Sequence, residues 1–247
     1  MDRALYVAMT GASETQRQQA INNNNLANAS TTGFRAELLA SAAQAVQGPG
    51  LPTRVNAAAQ SLGWDSRGGN IEQTGRNLDV AFGENAWLAV QAPDGSEAYT
   101  KAGDLQLDAG GQLRTASGLA VLGDGGPLSL PQSATTLIGG DGTISVQPLG
   151  SGTEALASVG RLRVVQATPD QLERGVDGLM RAKPGVTLDA ASGKVVMSGA
   201  LESSNVNLPE TMVNMISLAR QFELQTKLMK TTEDNAAAAS TLTRMGN

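Results

Sequence analysis

Residues 18–34 read QQAINNNNLANASTTGF, with four consecutive amides, Asn22 to Asn25, inside a segment that otherwise favours helix. Asparagine is a mediocre helix former because its short amide competes for nearby backbone hydrogen bonds. Four together read as a loop unless the flanking residues carry the helix through them. From residue 2 to about 29 there is no proline, and Gly11 is the only glycine before Gly33, so a continuous helix over 1–30 is expected. Its heptad-like stripe is Leu5, Met9, Ala12, Gln16, Gln19, Asn23 and Leu26, apolar at both ends and amide in the middle. A lone chain buries little with such a face, so the helix calls for a partner.

The character of the chain changes twice beyond this helix. Residues 31–67 are Ala- and Gln-rich and interrupted by GPGLP at 48–52, which reads as a linker or irregular extension. Over 68–200 short apolar runs alternate with turn signals: AWLAVQA (86–92) before PDG, LQLDAGGQLRTASGLAVLGDGG (105–126), TLIGGDGTISV (136–146), RLRVVQA (161–167) and VTLDAASGKVVM (186–197). Leu105 and Leu107, Val186 and Leu188, and Val195 and Met197 each alternate with neighbours of the opposite facing. The middle is therefore expected to be a mainly β domain of antiparallel hairpins with half-buried strands. Over 201–247 the helical period returns, with Asn207 placed to cap, Pro209 in the first turn and Glu210 beside it. One stripe runs Met212, Met215, Ala219, Phe222, Thr226, Met229, Glu233 and Ala236, on a helix of about 55 Å at 1.5 Å per residue. The expected fold is a central β domain flanked by N- and C-terminal α-helices that form a coiled-coil-like assembly layer.

Composition narrows the chemistry. The chain has no cysteine and no histidine, which excludes disulfides, thiolate metal sites and nucleophile–histidine catalysis. A net charge of -5 argues against a phosphate-gathering surface, so nucleic acid is not an expected partner. The opening MDRALYVAMTGASETQ lacks a basic region followed by an apolar segment and cleavage site, and no apolar run approaches the roughly 20 residues that span a bilayer. Asp104, Asp108, Asp124 and Asp141 lie beside or near glycines; turn chemistry explains them better than a glycosidase acid pair or a calcium loop. Neither an enzyme activity, nor a metal, nor a cofactor is expected. A secreted carbohydrate-binding or adhesive β-protein is the reading from another class, and it needs Trp64 or Trp87 as an exposed platform.

The residues from Asn24 to Arg35, NNLANASTTGFR, resemble the signature at the start of bacterial flagellar basal-body rod and hook proteins. AYTKAGDLQLDAGGQLRTASGLAVLG (98–123) resembles the β-domain segment of that family, and GALESSNVN (199–207), followed by Met215, Ile216, Phe222 and Glu223, resembles its C-terminal signature. The segment GENAWLAV (83–90) departs from the family's usual Gly-Asp-Gly-Phe-Phe pattern. The resemblance is strongest to proximal-rod members, with a distal-rod or hook relative as the alternative. It implies a structural subunit of the periplasmic rod that polymerises through its terminal helices and transmits torque from motor to hook. It also implies export by the flagellar type III apparatus without a cleavable signal, and other rod subunits as partners, with no small-molecule substrate. The residues expected at subunit contacts are Leu5, Met9, Ala12, Asn24, Asn25, Leu26, Asn28, Gly33, Phe34, Asn205, Met212, Met215, Ile216, Ala219 and Phe222.

Overall fold

The computed structural model describes residues 2–45, 55–131, 133–148 and 156–245, so the GPGLP run lies outside the described residues. The chain divides into two units, one of Met1–Ala27, Glu37–Gly63 and Val206–Asn247, the other of Asn28–Ala36 and Trp64–Asn205. It therefore passes from one to the other four times.

The first unit is built on two long helices, α1 (Asp2–Ala27) and α2 (Leu208–Met245). Asn207 caps α2 as its position suggests: its side-chain oxygen accepts from the Glu210 N–H at 3.3 Å. The helices pack along one another in opposite directions, since Asn22 reaches Thr211 while Gly11 and Thr15 reach Gln225. Along α1 the buried positions are Ala8, Ala12, Glu14, Thr15, Asn22 and Asn25, with Leu5, Gln19 and Leu26 half-buried along the seam. Along α2 only Thr211 is buried among the described residues, followed by half-buried Met215, Leu218, Phe222, Gln225, Met229, Thr232, Ala236 and Ala239, an alternation of four and three residues that repeats every seven.

This seam corrects the stripes read from the sequence. On each helix one row is right, Leu5–Ala12–Gln19–Leu26 and Met215–Phe222–Met229–Ala236, and the other is displaced by one residue. Met9 and Met212 are about half exposed, at 51% and 49%, Ile216 stands at 54%, and Ala219 faces solvent; Ala8, Thr211 and Leu218 occupy the rows instead. The reason is size. α1 presents small and polar side chains, which let the backbones approach and leave room for Met215, Leu218 and Phe222 from α2. A stripe chosen by hydrophobicity alone misses such a face.

Residues 37–45 and 55–64, expected as linker, form two strands that pair with each other. Alanine and glutamine favour helix over strand, so pairing overrides propensity in these two segments.

In the second unit every strand pairing is antiparallel, and the largest sheet has ten strands. Its centre is the strand Ala86–Gln91, which pairs with Glu97–Thr100, Ala120–Gly123 and Val164–Gln166. Leu88 and Val90 point into a core with Val80, Leu105, Leu113, Val121, Ile144 and Leu162, whereas Trp87 and Ala89 point into another with Tyr99, Val165, Leu172 and Met180. The uninterrupted AWLAV run is thus a strand buried on both faces, unlike the half-buried strands expected for the region. Three further strands, Ser133–Ile138, Thr143–Pro148 and Ala157–Arg161, close one core with Ile138, Ile144 and Val146. Among the described residues no helix is long and apolar enough to cross a membrane.

Leu88 is fully buried, so Leu88→Ala should destabilise the β unit by about 2–5 kcal/mol, whereas Met9→Gln, at a position half exposed on α1, should change stability by less than about 0.5 kcal/mol. Urea-unfolding midpoints of the full chain, followed by tryptophan emission and by far-ultraviolet dichroism, measure both; a large loss for Met9→Gln would return that residue to the seam.

Candidate assembly interface

The asparagine run is divided by the helix period. Asn22 and Asn25 are buried and Asn23 and Asn24 exposed. The Asn22 amide donates to the Thr211 carbonyl at 2.9 Å in a buried contact, tying the end of α1 to the first turn of α2. Asn25 accepts from the Glu37 N–H at 2.9 Å and donates to the Glu37 carbonyl at 3.0 Å, so one side chain pairs with the backbone of the first strand as a neighbouring strand does. Only an amide offers both a donor and an acceptor without charge in that geometry. Asn22 and Asn25 are therefore paired within the lone chain rather than left to water. Further along the seam the Thr15 hydroxyl lies 3.0 Å from Gln225 Oε1, and a Cβ on Gly11 would come within 3.0 Å of Gln225 Nε2, so Gly11 permits the approach. Asn28, beyond the helix, accepts from the Thr31 hydroxyl and, through its carbonyl, from the Thr31 N–H, which holds the turn leading to Gly33.

Two of the sequence signatures meet inside the β unit. Gly33 has φ +67° and its N–H donates to the Glu202 carbonyl at 2.7 Å; a Cβ there would sit 2.3 Å from the Lys101 carbonyl carbon, so the turn requires glycine. Arg35 and Glu202 form an ion pair at 2.7 Å with side chains only 2% and 6% exposed. Glu202 also accepts from the Gly69 N–H at 3.0 Å. Asn205 accepts from the Ala36 N–H at 2.8 Å and donates to the carbonyls of Asp65, at 3.2 Å, and Arg67, at 2.9 Å. The Arg174 guanidinium lies 4.8 Å from the centre of the Phe34 ring and donates to the Arg35 carbonyl at 3.2 Å. Gly33, Phe34 and Asn205, expected at subunit contacts, therefore build an internal joint. Arg35, Glu202, Lys101 and Arg174 were missed. The signal was present for two of them: Arg35 is the only charge in NNLANASTTGFR, and Glu202 the only charge in GALESSNVN.

Outside the seam α2 carries a second apolar row, Val213, Ile216, Leu224, Leu228 and Leu242, all more than half exposed. At 100° per residue Val213, Ile216 and Leu224 lie roughly 130–180° around the helix from the neighbouring seam positions, and Leu228 and Leu242 lie about 60–80° from them. Asp108 and Asp141 do what turn chemistry predicts: Asp108 accepts from the N–H groups of Gly110 and Gln112, and Asp141 from the N–H and hydroxyl of Thr143. Asp104 does not, since its Oδ1 is buried with no hydrogen-bond partner among the described residues. Trp87 is 3% exposed and donates to the Ala167 carbonyl, and Trp64 packs edge-on against it at 5.5 Å, so Trp87 offers no sugar-binding platform.

Three family models match the chain in order: "Flagella basal body rod protein" over residues 5–35, "Flagellar hook protein FlgE/F/G D1 domain" over 83–146, and "Flagellar basal body rod FlgEFG protein C-terminal" over 197–242. The flagellar basal-body rod protein FlgF of Escherichia coli K12 is 46% identical over 99% of this chain and 100% of its own length. FlgF of Salmonella typhimurium LT2 is 43% identical with the same coverage, and FlgG of Buchnera aphidicola from Acyrthosiphon pisum is 31% identical over 93% of this chain and 95% of its own.

The Arg35–Glu202 pair is close without being bidentate: Arg35 Nε and Glu202 Oε2 have no hydrogen-bond partner among the described residues. Removing one member leaves a buried charge uncompensated, whereas removing both does not. Arg35→Met and Glu202→Met should each cost about 3–5 kcal/mol in urea unfolding and the double variant clearly less than either. Additive losses in the double-mutant cycle would show that the two side chains act independently.

Proposed function

The chain belongs to the flagellar basal-body rod protein family and is a structural subunit of that rod, and from this premise we propose that it assembles through the outer row of α2 while the seam between α1 and α2 stays within each subunit. The observation that carries this is the apolar row Val213, Ile216, Leu224, Leu228 and Leu242, which no other part of the described chain covers. Met9, Met212 and Asn24, also exposed on the helical unit, are further contact positions. Leu5, Ala12, Asn25, Leu26, Met215 and Phe222 serve it from behind by holding the two helices in register, and Ala219 lies on the solvent side of α2.

Its occupants are identical and homologous rod subunits. Repeated head-to-tail contacts that do not close generate a helical array, and packed side chains along many such contacts resist twisting, which is how the rod transmits torque to the hook. The higher identity to FlgF of Escherichia coli and of Salmonella typhimurium, 46% and 43%, than to FlgG of Buchnera aphidicola, 31%, supports a proximal position in the rod. Export through the flagellar type III apparatus and a periplasmic place in the basal body complete the reading. The chemistry is that of a scaffold: buried polar groups are spent on joints within the chain.

Ile216→Glu combined with Leu224→Glu puts two charges on the outer row at positions 54% and 67% exposed. The free chain should lose less than about 1 kcal/mol, because exposed substitutions seldom cost more. Export into the medium of a hook-less strain should persist, while incorporation into purified basal bodies and swimming should be abolished. Normal incorporation of the double variant would refute the assignment of this face.

A further inference from the structure

Four Asp-Gly pairs stand exposed at turns of the β unit: Asp94–Gly95, Asp124–Gly125, Asp141–Gly142 and Asp177–Gly178. In three of them the carboxylate is tied down. Asp94 accepts from the Ser96 N–H at 2.9 Å and the Ser96 hydroxyl at 2.6 Å, Asp141 from the Thr143 N–H at 3.1 Å and hydroxyl at 2.7 Å, and Asp177 from the Leu179 N–H at 3.2 Å and the Arg181 guanidinium at 2.8 Å. The side chains of Ser96, Thr143 and Arg181 also hold these three carboxyls below the usual carboxylate range. The following glycine N–H is held as well: Gly95 donates to the Ala92 carbonyl at 2.9 Å, Gly142 to Gly139 at 2.9 Å and Gly178 to Gly175 at 3.0 Å.

Asp124 and Gly125 differ on both counts. They are the two-residue loop between the paired strands Ala120–Gly123 and Gly126–Pro127. Among the described residues neither the Asp124 carboxylate nor the Gly125 N–H has a hydrogen-bond partner, and a Cβ on Gly125 would meet nothing within 4 Å. Nothing there holds the peptide nitrogen away from the side chain that precedes it. We propose that Asp124 is a site of spontaneous isoaspartate formation, modified ahead of the other three Asp-Gly pairs. The Gly125 nitrogen attacks Cγ of the Asp124 carboxylic acid; an N–Cγ bond forms, the Cγ–OH bond breaks, and the amide proton leaves with that hydroxyl as one water, closing a succinimide ring. One water then reopens the ring. Addition at Cγ restores aspartate, whereas addition at the main-chain carbonyl breaks its bond to the Gly125 nitrogen, so the chain runs on through Cβ and Cγ and the former carbonyl becomes the free carboxylate. Composition is unchanged, but the loop gains one backbone carbon. It gains it just before Leu128, whose N–H bonds the Val121 carbonyl and whose carbonyl accepts from Leu113, so the lengthened loop bears on the pairing of the large sheet.

The test holds the full chain for weeks at neutral pH and measures isoaspartate by enzymatic methylation of the isoaspartyl carboxylate, with electron-transfer fragmentation placing each linkage. Isoaspartate at 124 should exceed that at 94, 141 or 177 several-fold. In guanidinium chloride, where the bonds that protect the other three are lost, the four rates should draw together. Gly125→Ala, which the open space around the loop admits, should slow the step at 124 and leave the other three pairs unchanged, because a side chain hinders the approach of the nitrogen. Equal accumulation at all four pairs in the folded chain, or a lead at 124 that persists undiminished in denaturant, overturns the proposal.

Discussion

A single buried ion pair, Arg35 with Glu202, fixes where the two ends of the chain enter the β unit. Arg35 is the last residue of the N-terminal signature, and Glu202 lies two strands' length from the start of α2 in the C-terminal one. Around the pair, Gly33 donates to the Glu202 backbone and Asn205 gathers Ala36, Asp65 and Arg67, so three separate passages of the chain are tied into one joint. A buried charge tolerates no slack, since separating the partners strands each in a medium that does not solvate it. That makes the pair a poor source of net stability and a strong determinant of geometry.

The helical unit shows the complementary principle. Its seam is modest, because α1 contributes alanines, a threonine and amides where a stable isolated pair of helices has leucines. Register comes from polar contacts, Asn22 to Thr211 and Thr15 to Gln225, and from Asn25 fastening the end of α1 to Glu37. The large apolar side chains that a monomer usually buries stand on the opposite side of α2. Weak internal pairing with an uncovered apolar outer face is what motivates the proposed contact with neighbouring subunits.

Much of this was legible in the residues. The alternation of long helix, hairpin-rich centre and long helix followed from glycine and proline placement and from the change of hydrophobic period. The three signatures located the family. What escaped was phase and pairing. A shift of one residue in half of a heptad is invisible when the inward side chains are Ala8, Thr15 and Asn22, since hydrophobicity does not mark them. The strands 37–45 and 55–64 were hidden because alanine and glutamine do not announce a sheet. The joint was readable only by noticing that two otherwise uncharged signatures carry one charge each, of opposite sign, and that Asn205 follows close behind.

The central claim is that the outer face of α2 is covered by other subunits while the seam is internal. Because the chain has no cysteine, single thiols report each face without background. Ile216→Cys and Phe222→Cys, labelled with a maleimide in the free chain and in intact basal bodies, compare the two directly. Cysteine 216 should label rapidly in the free chain and become protected in rods, whereas cysteine 222 should already label slowly in the free chain. Equal labelling of cysteine 216 in both states would contradict the account.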